Sequence, residues 1–132
     1  MTTQSLTSTP RLAATRSLGS LRLRATIFVV LISDAHDQYV AVANKRNDIK
    51  ANRQLVKMIA RCQNIIQTDL ACIEAALQPD CHDALYGILS TIRCQLPFAT
   101  VEYLIRDSIR AVEATKIIKE QTELLDTLIS TS

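Results

Sequence analysis

The sequence predicts an all-α fold, an antiparallel four-helix bundle preceded by a disordered N-terminal tail. The chain of 132 residues has two glycines and three prolines, too few for the many tight turns of a β fold. Its apolar residues recur at helical spacing. Because it has no Trp, two Phe and three Tyr, the core must be built mainly from aliphatic side chains. The length is that of one domain with one core.

The predicted tail covers residues 1–24, and the bundle covers residues 25–132. The tail is rich in Ser and Thr and contains four arginines but no acid. Such a segment buries too little apolar surface to offset the entropy lost on ordering. The same composition is typical of a mitochondrial transit peptide. A third interpretation joins the tail to the apolar run 25–32 as a secretory signal, although the run is short and no clear small-residue cleavage site follows it before Asp34. A run this short cannot span a bilayer.

The first two helices are predicted over 26–45 and 48–78. The first has an apolar opening, although its β-branched residues are also compatible with a short strand. The second has the clearest helical period, and Pro79 ends it. Its apolar seam consists of Leu55, Ile59, Cys62, Ile66, Ile73 and Leu77.

The third and fourth helices are predicted over 82–95 and 98–129, with Pro97 between them. Short connections at Asn47, Pro79 and Pro97 favour antiparallel neighbours. The inward-facing residues of the third helix are Leu85, Ile88, Leu89 and Ile92. Those of the fourth are Val101, Ile105, Val112, Ile118, Leu125 and Leu128.

Five basic residues lie along one side of the second predicted helix. Their spacings of 4, 3, 4 and 4 residues place them within about 80° of arc, in a line about 22 Å long. No acid falls in this line, since Asp48 points to about the opposite side. We call these residues the basic stripe: Arg46, Lys50, Arg53, Lys57 and Arg61.

The basic stripe has a structural and a functional interpretation. A charged face keeps a helical bundle in solution, and it can also pair with acids of the fourth helix. Alternatively the stripe binds anions, because each basic residue near an anionic leaflet contributes about 1 kcal/mol. Nucleic-acid phosphates are the other anion candidate, but the near-neutral charge of residues 25–132 argues against duplex binding. The acids considered for pairing are Glu113, Glu120 and Glu123.

Membrane contact would be strengthened by an apolar segment that inserts into the bilayer. The apolar start of the first helix is the candidate, provided that this helix swings away from the bundle. The insertion residues would be Ile27, Phe28, Val29 and Val30.

Residues suited to catalysis or metal binding are sparse. The only glycines, Gly19 and Gly87, form no phosphate-binding loop, and no nucleophile stands in a known catalytic motif. We therefore expect no enzymatic activity, no cofactor, no metal and no small-molecule substrate. The four cysteines form no CxxC pair, so we expect reduced thiols. A zinc site with Cys81 and His82, or a disulfide, remains the alternative.

The segment 49–61, which reads IKANRQLVKMIAR, resembles the long second helix in the N-terminal four-helix bundle of mixed lineage kinase domain-like proteins and related HeLo-type domains. In that family an Asn begins a polar stretch that leads into an apolar seam. Here Asn52 matches that Asn, and Ile59 lies in the seam. Val56 stands where the family has Cys. The segment 97–131 resembles the family's last helix through Phe98, Arg106, Arg110, Glu120, Glu123 and Leu125.

This resemblance implies a self-associating module of cell-death or immune signalling that engages membranes. We therefore expect a non-enzymatic interaction module that contacts anionic membrane through the basic stripe, with a protein or a second copy as partner. The expected location is cytoplasmic or peripheral at membranes, and mitochondrial is the alternative. Two other functions remain open: a helical adaptor or subunit of a larger complex, and a nucleic-acid-binding bundle.

Overall fold

The computed structural model describes the backbone of residues 2–41, 52–77 and 83–131, and the side chains of 15–37, 52–76 and 83–129. These residues contain five α-helices, a short 3-10 helix and no strand, so the predicted all-α class is confirmed. The helices are α1 (Thr2–Ala41), α2 (Arg53–Leu77), α3 (Asp83–Gln95), α4 (Val101–Arg106) and α5 (Ser108–Thr131).

Helix α1 begins well before the predicted first helix. It starts at Thr2, and both Leu18 and Leu21 belong to the core. In the structure, Leu18 and Leu21 of the predicted tail thus pack together with residues of the predicted bundle. Leu18, Leu21, Ala25 and Phe28 recur at spacings of 3 and 4 residues, so the core face of α1 continues upstream of the apolar run. The strand alternative for this run is wrong, because the run is helical.

Helix α1 packs against both α2 and α5. On one flank, Arg22 forms an ion pair with Asp126 of α5 at 3.3 Å. On the other, the Sγ of Cys62 in α2 donates a hydrogen bond to the carbonyl oxygen of Arg24 at 3.3 Å. Between these contacts lies a core-facing side of α1 whose members are Leu21, Phe28, Ile32 and Ala35, all fully buried.

Helix α2 buries the predicted apolar seam. Its first turn is capped by Asn52, whose Oδ1 accepts a hydrogen bond from the backbone N–H of Leu55 at 3.2 Å. This cap satisfies a donor that would otherwise lack a partner. Residues 42–51, where the predicted first helix ends and the second begins, lie outside the described residues. The buried seam residues are Leu55, Ile59, Cys62, Ile66 and Ile73.

The predicted fourth helix is divided into α4 and α5. Pro97 lies in the 3-10 helix Leu96–Phe98, and the Oγ1 of Thr100 then caps α4 by accepting a hydrogen bond from the N–H of Tyr103. At Asp107 the backbone leaves the helical region, and Oδ1 accepts a hydrogen bond from the N–H of Arg110 at 3.1 Å. The continuous helix predicted over 98–129 is therefore wrong at its start, because side-chain caps replace helix hydrogen bonds there.

Arg110 holds the break between α3 and α5 in place. Its guanidinium carbon lies 4.3 Å from the centre of the Phe98 ring, and its Nη2 donates a hydrogen bond to Oε1 of Gln95 at 2.9 Å. The Phe98 ring in turn meets Tyr103 edge to face, with 5.0 Å between ring centres. Cation–π and aromatic contacts of this kind each contribute about 0.5–1.5 kcal/mol.

We expect Phe28→Ala to lower the free energy of unfolding by about 3–5 kcal/mol, because it leaves a cavity where α1 meets the core. Urea unfolding followed by circular dichroism measures the change. Val30→Ala is the matched control on the same helix, since Val30 is 55% exposed and should change stability by less than about 0.5 kcal/mol. Equal losses of stability for the two substitutions would contradict the orientation of α1, in which Phe28 faces the core and Val30 faces solvent.

We expect Asp107→Ala to destabilise the protein by about 1 kcal/mol, because the N–H of Arg110 loses its capping acceptor. Asp107→Asn keeps an oxygen acceptor at the same place and should retain most of the stability. The same unfolding experiment compares the two variants. A loss as large for Asn as for Ala would argue against a capping role.

Candidate functional site

The described part of the basic stripe lies on the outer side of α2. Arg53, Lys57 and Arg61 are all exposed, and the buried seam occupies the opposite side of the helix. Helical spacing accounts for this separation, because these residues are offset from the seam by at least about 100° around the helix axis. Arg46 and Lys50 lie outside the described residues.

The three described stripe residues take part in no ion pair within the described structure. The ion pairs between described side chains join Arg22 to Asp126 and Arg93 to Glu74. The expected alternative, in which the stripe pairs with acids of the fourth predicted helix, is therefore not found for Arg53, Lys57 and Arg61. Within the part of the chain that the structure describes, no paired carboxylate neutralises their charges.

A shallow groove of about 460 Å³ runs along the outer side of α2. It includes two stripe residues, Lys57 and Arg61, together with the polar residues Asn64 and Thr68. Asp69 lies at its edge, buried, and its Oδ2 accepts no hydrogen bond. The exposed charge of this groove is therefore positive.

A second depression, which we call the α1–α2 cleft, lies between those two helices. It has a volume of about 360 Å³. Arg61 lies in it beside Met58, whose side chain is 45% exposed, and Arg24 enters from α1. The cleft thus joins the end of the basic stripe to apolar surface. Its described lining is Arg24, Ile27, Leu31, Met58, Arg61, Cys62 and Ile65.

Cys62 forms part of the floor of the α1–α2 cleft. Burial raises the pKa of its thiol from the ordinary value of 9.0 to about 11, and the positive charge of Arg24 lowers it by a smaller amount. The thiol therefore stays protonated at neutral pH and donates its hydrogen bond to the backbone of Arg24. Cys62 acts as a packed core residue, and the neutral thiol is a poor nucleophile.

The four insertion candidates have different environments. Phe28 has no exposed surface, Ile27 and Val29 are half-buried, and Val30 is 55% exposed. Ile27 also packs against the core. Only Val30 presents most of its side chain to a surface while α1 remains in place.

Other chemistry-bearing groups are dispersed. No group of three or more His, Cys, Asp or Glu side chains that could hold a metal ion occurs among the described residues. The Nδ1 of His36 is buried without a hydrogen-bond partner, while Cys81 and His82 lie outside the described ranges. No helix in the described part of the chain combines the length and the apolar character needed to cross a membrane.

Comparison with known proteins returns no match for this chain among protein-family models, curated proteins or solved structures.

Arg24 falls in the predicted tail, and Met58 and Ile65 have no role predicted from the sequence. The structure brings these residues together with Arg61 in the α1–α2 cleft. The spacing of Ile65 from Met58 is a signal for a second, weaker apolar line beside the seam of α2. No comparable signal identifies Arg24, because its place depends on which helix packs against α2.

We expect Cys62 to resist a thiol reagent at about pH 8, while the exposed Cys72 and Cys94 react. The experiment uses a Cys81→Ser background, so that all three remaining thiols lie in the described structure. Peptide mapping after limited labelling identifies the modified residues. Rapid labelling of Cys62 in the folded protein would contradict its burial.

The same pKa predicts a pH dependence of stability. The folded protein holds the Cys62 proton more tightly than the unfolded chain. The protonated thiol therefore contributes fully to the free energy of unfolding below about pH 9, and this contribution is lost as the pH rises through about 11. The unfolding free energy of the wild type should therefore fall more steeply over this range than that of Cys62→Ala. Parallel curves would contradict the raised pKa.

Proposed function

We propose that this chain is a non-enzymatic helical interaction module that docks on anionic membrane surfaces through the outer side of α2. The observation that carries the proposal is a group of exposed basic residues, beside the apolar α1–α2 cleft, that form no ion pair with any described side chain. Arg53, Lys57 and Arg61 supply the attraction to lipid phosphates. Met58 supplies exposed apolar surface beside Arg61, and Val30 is an exposed apolar residue of α1.

The magnitudes favour a reversible contact. Three basic residues near an anionic leaflet contribute about 3 kcal/mol before screening, and all five of the stripe would contribute about 5 kcal/mol. Burial of one exposed aliphatic side chain adds at most about 1.5–3 kcal/mol. Either source alone gives weak binding, whereas the two together support a peripheral membrane contact that salt weakens.

In this proposal α1 stays within the bundle during docking. Insertion of Phe28 would require α1 to leave its place between α2 and α5, so we assign membrane contact to Val30 and the edge of Ile27. An antiparallel order of neighbouring helices is part of the proposal. It is supported by the ion pair between Arg22 and Asp126. Thr26, one turn later in α1, lines one cavity with Lys119 and Thr122, which precede Asp126 in α5.

We also propose that the module self-associates and acts in signalling, as the resemblance to HeLo-type domains implies. One copy of the module binds a membrane only weakly. Self-association would link several basic stripes, and linked stripes bind one membrane far more tightly than a single stripe does. The features that carry the resemblance are the long helix α2, with Asn52 before its apolar seam, and the segment 97–131.

Liposome co-sedimentation tests the docking proposal. The full-length chain should sediment with vesicles that contain phosphatidylserine and remain in solution with phosphatidylcholine vesicles. The triple variant Arg53→Gln, Lys57→Gln, Arg61→Gln should lose at least about tenfold in affinity, which follows from about 1 kcal/mol per charge.

The matched control removes three charges elsewhere, with Arg106→Gln, Lys116→Gln and Lys119→Gln. It has the same net charge as the stripe variant and should keep most of the binding. Equal losses in both variants would indicate a general charge effect and contradict a specific face. No binding by the folded wild type would overturn the membrane function and leave a protein-binding adaptor as the better hypothesis.

A further inference from the structure

The α1–α2 cleft combines an apolar floor with a cationic rim, which is the arrangement of a site for a charged amphiphile. Ile27 and Leu31 contribute to the floor from α1, and Met58 and Ile65 contribute from α2. Its volume of about 360 Å³ falls near the lower end of the range for small-molecule sites, about 300–1,000 Å³. A single alkyl chain suits this space better than the paired chains of a membrane phospholipid.

The rim of the cleft is positively charged. Arg24 and Arg61 both line it, and no carboxylate is found among its described lining residues. A guanidinium offers parallel N–H donors that match the two oxygens of a carboxylate. The charge of the rim therefore favours an anionic head group on the amphiphile.

Arg24 has unused hydrogen-bonding capacity. Its Nε is shielded from solvent and has no hydrogen-bond partner. A buried donor without a partner is unfavourable, so a rotation that brings this group to a ligand carboxylate gives up no hydrogen bond. Its positive charge already acts on the Cys62 thiol in the floor of the cleft.

We propose that the α1–α2 cleft binds a free fatty-acid anion, with the carboxylate at Arg24 and Arg61 and the alkyl chain along Met58 and Ile65. This binding goes beyond membrane docking, because the ligand is a single molecule taken from solution. The two functions have Arg61 in common, while Lys57 and Arg53 belong to the docking face alone.

Isothermal titration calorimetry with dodecanoate, below its critical micelle concentration, tests the proposal on the full-length chain without vesicles. We expect saturable binding of one molecule per chain, at least about tenfold tighter than binding of dodecanol, which lacks the charge. Arg61→Gln should weaken dodecanoate binding and leave dodecanol binding unchanged. This pattern distinguishes recognition of the head group from simple apolar adsorption.

Met58→Glu places a negative charge in the mouth of the cleft and should weaken dodecanoate binding at least about tenfold. Leu124→Glu is the matched control, since Leu124 is 46% exposed on α5 and Met58 is 45% exposed. Circular dichroism confirms that each variant is folded. The control should bind as the wild type does.

Three results would overturn the fatty-acid site: no saturable binding by the folded wild type, equal affinity for dodecanoate and dodecanol, or unchanged binding by Met58→Glu. None of them depends on vesicles, so failure here leaves membrane docking to be judged by sedimentation. Conversely, Arg53→Gln with Lys57→Gln should weaken vesicle binding and leave dodecanoate binding intact.

Discussion

The packing of α1 between α2 and α5 is the constraint on which the rest of the structure depends. Burial of one large apolar side chain is worth about 1.5–3 kcal/mol, so Leu21, Phe28 and Ile32 together account for about 4.5–9 kcal/mol. That amount is comparable with the whole stability of a domain, about 5–15 kcal/mol. Release of α1 would also expose the core sides of α2 and α5. The three described residues of the basic stripe would contribute only about 3 kcal/mol to membrane attraction, which favours docking of the intact bundle over insertion of α1.

The ends of the helices are determined by a few polar side chains. Asn52 caps α2, Thr100 caps α4 and Asp107 caps α5. Arg110 then holds the 3-10 helix against the start of α5 through its contact with Phe98. Because α5 also packs against α1, the contact between the 3-10 helix and Arg110 also fixes where the α5 surface that packs on α1 begins. These local contacts explain why one predicted helix is present as two.

The sequence alone was sufficient to predict the fold class and the buried side of α2, because the seam from Leu55 to Ile73 follows one helical period without interruption. It was insufficient for the start of α1. Arginine, serine and threonine dominate the composition around Leu18 and Leu21, and composition cannot reveal that two leucines join a distant core. It was also insufficient for the break at Asp107, since an aspartate in a charged helix and an aspartate that caps one look alike in sequence.

The candidate site also has one part that the sequence predicts and one part that it does not. The exposure of Arg53, Lys57 and Arg61 follows from their angular distance from the seam, so the sequence could predict it. The α1–α2 cleft could not be predicted, because it depends on contacts between residues that are far apart in the chain. Cys62 and Arg24, for example, are separated by 38 positions and meet only because α1 packs against α2.

The distribution of the described acids helps to explain how a chain with a net charge of only +2 presents basic residues that form no ion pair with a described side chain. Asp126 pairs with Arg22, Glu74 pairs with Arg93, and Asp107 caps α5. Each of these carboxylates contacts a group outside the basic stripe. The remaining acid on that helix, Asp69, is buried. Local fields depend on charges within about 8–10 Å at physiological salt, so the net charge of the chain is a poor guide to what this face attracts.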